Sequence, residues 1–377
     1  MQIQCATAGD AAEWAYGEAR PYHGLHLRKC AGLLATGANS ALTIAGAVSR
    51  NLGCIGWQTR SSSTVRQPQT FPTQAVQRLV SARDGVRIAV ADSGPMDADH
   101  TIVLLHGLCL SRQSWSAPAY LLSESLGDGV RIISYDHRGH GRSQRAPTAT
   151  YHVDQLADDL ADVLEELRID SPLTLAGHSL GGMTALTYSA RPARLQPVQP
   201  HGLVLVATAA GQLVERGMGR LLATPAPRLL AALAARAPAA AVEHSLRPMA
   251  WTACELLVRC RGCGSAEREA LCGMCAAALA STALSTAAGF LPQLRRFDQT
   301  GALSAIRART TVLSGGADLL TPVAHAQQLV AGIRGAAHHH YPHAGHMMLQ
   351  DVPRAVADAI ADVVHMTLSP RGGPVSA

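Results

Sequence analysis

From about residue 76 onward, short apolar runs alternate with longer stretches in which apolar residues recur every three or four positions. The apolar runs fall at residues 101–105, 130–135, 173–176, 203–206 and 310–313. A strand with one wet face alternates apolar and polar residues. A run that is apolar at consecutive positions fits a strand covered on both faces, as in parallel sheets. Residues 337–341 read as a last strand. Residues 153–167 place Leu156, Leu160, Val163 and Leu164 on one face with Asp and Glu opposite, which predicts an amphipathic helix. Residues 183–190 and 354–364 read as helices as well. Strand and helix in alternation predict an α/β fold with a mostly parallel sheet flanked by helices. Ahead of these, residues 78–81 and 86–91 read as two strands joined at Asp84-Gly85, a hairpin pair.

The alternation fails in two places. Residues 212–299 are rich in Ala and Leu, show no strand, and read as four or five helices between two core strands. That is the pattern of an inserted helical cap. Residues 1–75 read as an N-terminal extension that ends in the Ser/Thr/Pro-rich linker 61–72. Within it, residues 31–49 are uncharged, preceded by Arg28 and Lys29 and followed by Arg50. The stretch has the roughly 20 residues of a membrane span, but Gly, Ser, Thr and Asn dilute it, and it starts too deep for a signal peptide. We expect a mobile extension or surface helix, with weak membrane contact through residues 28–50 as the alternative. The core then occupies 76–211 and 300–370, the cap 212–299, and 371–377 is a tail.

Composition narrows the class. Hydrophobic residues make up 47% and charged residues 16%, which supports a large core and excludes a disordered chain. The formal charge is +5, yet the arginines are scattered, so nucleic acid is not an expected partner. Nine cysteines follow no scaffold-like spacing, and a reducing, cytoplasmic setting is expected. Cys260-x-x-Cys263 and Cys272-x-x-Cys275 have the spacing of zinc ligands, but they fall in helical patterns and are expected as buried thiols, with a zinc site or a disulfide as the alternatives. The tract His338-His339-His340 sits on the last strand, where consecutive side chains point to opposite faces, so no metal site is expected.

The candidate chemistry lies at strand ends. Gly177-His178-Ser179-Leu180-Gly181-Gly182 follows one apolar run and precedes a helix, the context of a nucleophile elbow. Its turn pushes the Ser179 hydroxyl outward, and the following helix N-terminus offers N–H groups to a developing oxyanion. His106-Gly107-Leu108 ends another strand, so the Leu108 and Leu180 N–H groups would form an oxyanion hole. Asp318 follows Gly315-Gly316-Ala317 at a third strand end, with Thr321-Pro322 read as N-cap and first residue of the next helix. His343-Ala344-Gly345-His346 follows the last strand; His346 is the preferred base and His343 its competitor.

These motifs, together with Tyr135-Asp136-His137-Arg138-Gly139-His140-Gly141-Arg142-Ser143, resemble the α/β-hydrolase fold superfamily, in particular its serine-nucleophile, capped esterase/lipase-like branch. The resemblance spans roughly residues 76 to 368 and implies catalytic Ser179, Asp318 and His346, with no metal and no cofactor. It implies hydrolysis of a small-molecule ester, apolar or lipid-like. Serine rather than aspartate at the elbow disfavours dehalogenase and epoxide hydrolase chemistry. C–C bond or thioester hydrolysis by the same residues, and a non-catalytic protein of this fold, remain as alternatives. Asp136 and its loop are architectural on this reading, and the residues that bind substrate are unknown.

Overall fold

The computed structural model describes residues 75–236 and 282–368. Residues 31–49, Trp251 and the two cysteine pairs lie outside the described residues. Eight strands build one sheet: β1 (Val76–Ser81), β2 (Arg87–Ser93), β3 (His100–Leu105), β4 (Val130–Tyr135), β5 (Leu173–His178), β6 (Pro200–Val206), β7 (Arg309–Gly315) and β8 (Ala337–Tyr341). Their spatial order is β1-β2-β4-β3-β5-β6-β7-β8. β2 pairs antiparallel with β1 and β4, and every other pairing is parallel.

Each central strand buries both faces, which is why its sequence does not alternate. Ile102 and Leu104 of β3 join one core with Trp115, with α1 (Ser116–Leu126) and with α7 (Pro353–Leu368), through Leu122, Val356 and Ile360. Val103 and Leu105 join the opposite core. There they meet α2 (Val153–Glu166), α3 (Leu180–Ser189) and α6 (Val323–Gly332), through Leu160, Leu186 and Leu329. Between β6 and β7 run α4 (Ala226–Arg236) and α5 (Leu284–Leu294), which pack on each other. Phe290 and Leu294 of α5 enter a third apolar cluster with Tyr151, Leu156, Leu180, Met183 and Leu213. Among the described residues, no helix is long and apolar enough to cross a membrane.

Three details depart from the sequence reading. β1 and β2 pair at Ser81 and Arg87, the Ala82 N–H then donates to the Val86 carbonyl at 2.9 Å and the Gly85 N–H to the Ala82 carbonyl at 2.7 Å, so Arg83, Asp84 and Gly85 turn the hairpin rather than Asp84 and Gly85 alone. Within that turn the Asp84 side chain accepts from the Val86 N–H at 3.2 Å and from Arg138 at 2.8 Å. β5 continues through Gly177 and His178, which pair with Leu105 of β3 and Val206 of β6. And α6 begins at Val323 with Pro322 as its N-cap, because the Thr321 hydroxyl bonds Asp318 instead.

The loop at residues 136–143 is fastened at both ends. Asp136 accepts from the Arg112 N–H at 2.8 Å and from the Arg142 N–H at 2.9 Å. Arg138 is fully buried and its guanidinium reaches both carboxylate oxygens of Asp159 on α2. Removing one member of such a buried pair typically costs about 3–5 kcal/mol, because the other is left charged and unpaired. The same anchoring sets His140 beside the loop that follows β3.

Candidate active site

β5 ends against β6, and the chain reverses at once into α3. Ser179 sits on that reversal with φ +52° and ψ −114°, a conformation that L residues rarely adopt. Strain of this kind costs on the order of 1–3 kcal/mol and persists only where the surroundings over-determine it. Here the Ser179 N–H donates to the Val206 carbonyl at 3.0 Å, and its own carbonyl accepts from the Thr208 hydroxyl at 2.7 Å. The turn is also too close-packed for side chains. A Cβ on Gly181 would overlap the Leu105 carbonyl oxygen, and one on Gly177 would overlap the Gly181 carbonyl.

The structure brings Ser179, His346 and Asp318 into one hydrogen-bonded line. His346 Nε2 lies 3.1 Å from Ser179 Oγ, and His346 Nδ1 lies 2.8 Å from Asp318 Oδ2. With Nδ1–H donating to the carboxylate, Nε2 keeps its lone pair for the serine hydroxyl. Asp318 is itself held on both oxygens. Oδ1 accepts from the N–H groups of Leu320 and Thr321, at 2.8 and 2.9 Å, and Oδ2 accepts from the Thr321 hydroxyl at 2.6 Å. The turn role and the acid position therefore coincide in one residue. His343, by contrast, is exposed, and the chain passes through Ala344 and Gly345 before His346 turns inward.

Burial disfavours the Asp318 charge, but His346 beside it and the hydrogen bonds from His346 and Thr321 outweigh that and hold its carboxyl at about 2. A carboxyl depressed from 3.8 stabilises the folded chain above its unfolded value, and that contribution is lost as pH falls through about 2. Urea denaturation should therefore separate wild type from Asp318→Asn most widely above pH 3.8, with the gap closing towards pH 2. A gap that widened on acidification would contradict this.

Leu180 opens α3, and the first N–H groups of a helix have no carbonyl partner within it. The Leu108 side chain packs against the apolar cluster that contains Leu180.

Sequence patterning did not single out His178, which the structure ties to the site. It is buried, and its Nε2–H donates to the His346 carbonyl at 2.8 Å. Burial, reinforced by the neighbouring His346, lowers its imidazole to about 3, so it acts as a neutral donor that fixes the backbone of His346. Its position between Gly177 and Ser179 at a strand end was the available signal. On β8, His338 and His340 both bond Ser314 Oγ, at 2.8 and 3.0 Å. Among the described residues, no group of three or more His, Cys, Asp or Glu side chains is placed to hold a metal ion.

A serine on a strand-to-helix reversal, followed in chain order by an acid and a histidine at later strand ends, defines a class of α/β enzyme fold. A sequence profile of the alpha/beta hydrolase fold matches residues 100–351, and the chain belongs to that family. Over 121 residues it is 39% identical to "Probable oxidoreductase EphD" of Mycobacterium tuberculosis, covering 32% of this chain and 20% of that protein. Over 112 residues it is 38% identical to a bifunctional esterase/perhydrolase of Acinetobacter calcoaceticus, covering 30% and 38%. The matches span well under half of these curated relatives. Among solved structures, a thermophilic esterase from Thermogutta terrifontis superposes with a TM-score of 0.58 at 24% identity, over 78% of this chain and all of that one. At that identity the likeness speaks for the fold.

Proposed function

We propose that this protein is a serine hydrolase that cleaves carboxylic esters through an acyl-enzyme. The observation that carries the reading is the line from Ser179 Oγ to His346 to Asp318, with the serine on a strained reversal. In the first half-reaction His346 Nε2 takes the Ser179 proton as Oγ attacks the ester carbonyl. The carbonyl oxygen becomes an oxyanion, received by the Leu108 and Leu180 N–H groups. Collapse expels the alkoxide, to which His346 returns the proton, leaving an acyl ester on Ser179. A water deprotonated by His346 then attacks that ester, and the carboxylic acid leaves with Ser179 restored. Asp318 holds the His346 tautomer and stabilises the imidazolium that forms twice per cycle.

The reading extends to an apolar substrate and to a cap. Leu108 and Leu180 belong to the apolar cluster that Phe290 and Leu294 enter from the inserted segment. An acyl chain laid against that cluster would gain about 0.8 kcal/mol for each methylene buried, roughly fourfold in kcat/KM. Phe290 is itself completely buried against Tyr151 and His140. Phe290→Ala is therefore expected to lower stability rather than only to change chain-length preference. The test is a series of p-nitrophenyl esters. The specificity constant should climb from acetyl towards medium chains before steric limits intervene. A flat or acetyl-preferring profile would remove the apolar part of the proposal. Thioesters and vinylogous 1,5-diketones in the same assay would reveal a preference for another bond.

A further inference from the structure

The loop that carries Leu108 is held by a residue from another part of the chain. The Leu110 N–H donates to the Gly107 carbonyl at 3.2 Å, closing a turn in which Cys109 has φ +61°. For an L residue other than glycine that conformation costs about 1 kcal/mol or more, so its neighbours must hold it. His140 does so: its Nε2 accepts from the Cys109 N–H at 3.1 Å. His140 is completely buried, and its Nδ1–H donates to the Arg138 carbonyl at 3.0 Å, which leaves the lone pair on Nε2. Burial, with a smaller push from His106, lowers the imidazole to about 3, so Nε2 remains an acceptor at neutral pH. The His140 backbone forms an antiparallel bridge with Thr282, and its ring lies 5.8 Å from that of Phe290. One side chain is therefore in contact with both the loop after β3 and the segment inserted between β6 and β7.

We propose that His140 is a positioning residue for the oxyanion site. By holding the Cys109 N–H it fixes the Leu108–Cys109 peptide, and through it the direction of the Leu108 N–H. It touches no reacting atom. The inference rests on the serine-hydrolase reading above, and it adds that the inserted segment reaches the oxyanion donors through His140.

The test compares His140→Leu, His140→Gln and His140→Asn for turnover of p-nitrophenyl butyrate, with thermal melts of each. Misplacing a catalytic donor by about an ångström costs on the order of 100-fold. His140→Leu should lower kcat by that order with little change in KM, since the lost interaction acts mainly in the transition state. Gln places an amide oxygen near the former Nε2 and should recover most of the loss; Asn is one methylene shorter and should not. If His140→Leu fails to fold, the Gln and Asn pair carries the test. A kcat that His140→Leu leaves unchanged, or equal losses in Gln and Asn, overturns the positioning role. So does a loss that follows the melting temperature alone. Fluorophosphonate labelling of the wild type separates the two levels: a wild type neither labelled nor active overturns the serine-hydrolase reading and this proposal with it.

Discussion

Ser179→Ala should lower ester turnover by on the order of a million-fold while leaving the melting temperature close to that of the wild type. The substitution removes one oxygen atom. The strained backbone is imposed by the Val206 and Thr208 contacts and by the close packing of Gly177 and Gly181, not by the serine hydroxyl. Alanine can therefore take the same conformation, and the fold is retained. What disappears is the nucleophile. The oxyanion donors and substrate binding would still support about a thousand- to ten-thousand-fold over water. Initial rates on p-nitrophenyl butyrate, measured on protein free of host esterases, give the comparison. Near-wild-type rates in the variant would remove Ser179 from the mechanism.

His346→Ala should cost about as much, and the double variant with Ser179→Ala should cost no more than either alone, because the groups act as one unit. Asp318→Asn should cost roughly ten-thousand-fold. An asparagine offers His346 Nδ1 either an N–H or a weaker oxygen acceptor. The first outcome reverses the tautomer and puts a proton on the nitrogen that must accept from Ser179. The Thr321 hydroxyl, 2.6 Å from Asp318 Oδ2, would also lose a charged partner. His343→Ala serves as the control. His343 is exposed, and its loss should leave kcat within a few-fold of wild type. A dead His343→Ala beside an active His346→Ala would reassign the base.

The sheet was legible in the sequence because its central strands are buried on both faces. Apolar runs such as Ile102-Val103-Leu104-Leu105 admit few other readings. The candidate site was legible because short local motifs at strand ends carry it. Hydrogen bonds made over long separations were not legible. His178 reaches His346 across 168 positions, and His140 reaches Cys109 across 31. In a sequence such histidines look like any other buried residue. The hairpin turns locally at Gly85, with φ +82°, but the bond from Arg138 to the Asp84 side chain, 54 positions away, carries no local mark. Thr321 before Pro322 carries the local marks of a helix cap, but its hydroxyl bonds Asp318, three positions back, because that carboxylate is turned towards His346.

The central claim is that Ser179 forms the covalent intermediate. The direct measurement mixes the protein with excess p-nitrophenyl butyrate, quenches with acid within milliseconds to seconds, and locates the added mass by peptide mass spectrometry. The account predicts one butyryl group per chain on the peptide containing Ser179, appearing with a burst of nitrophenol and absent from Ser179→Ala. Turnover without any acyl group on Ser179, or with the group on another residue, would contradict it.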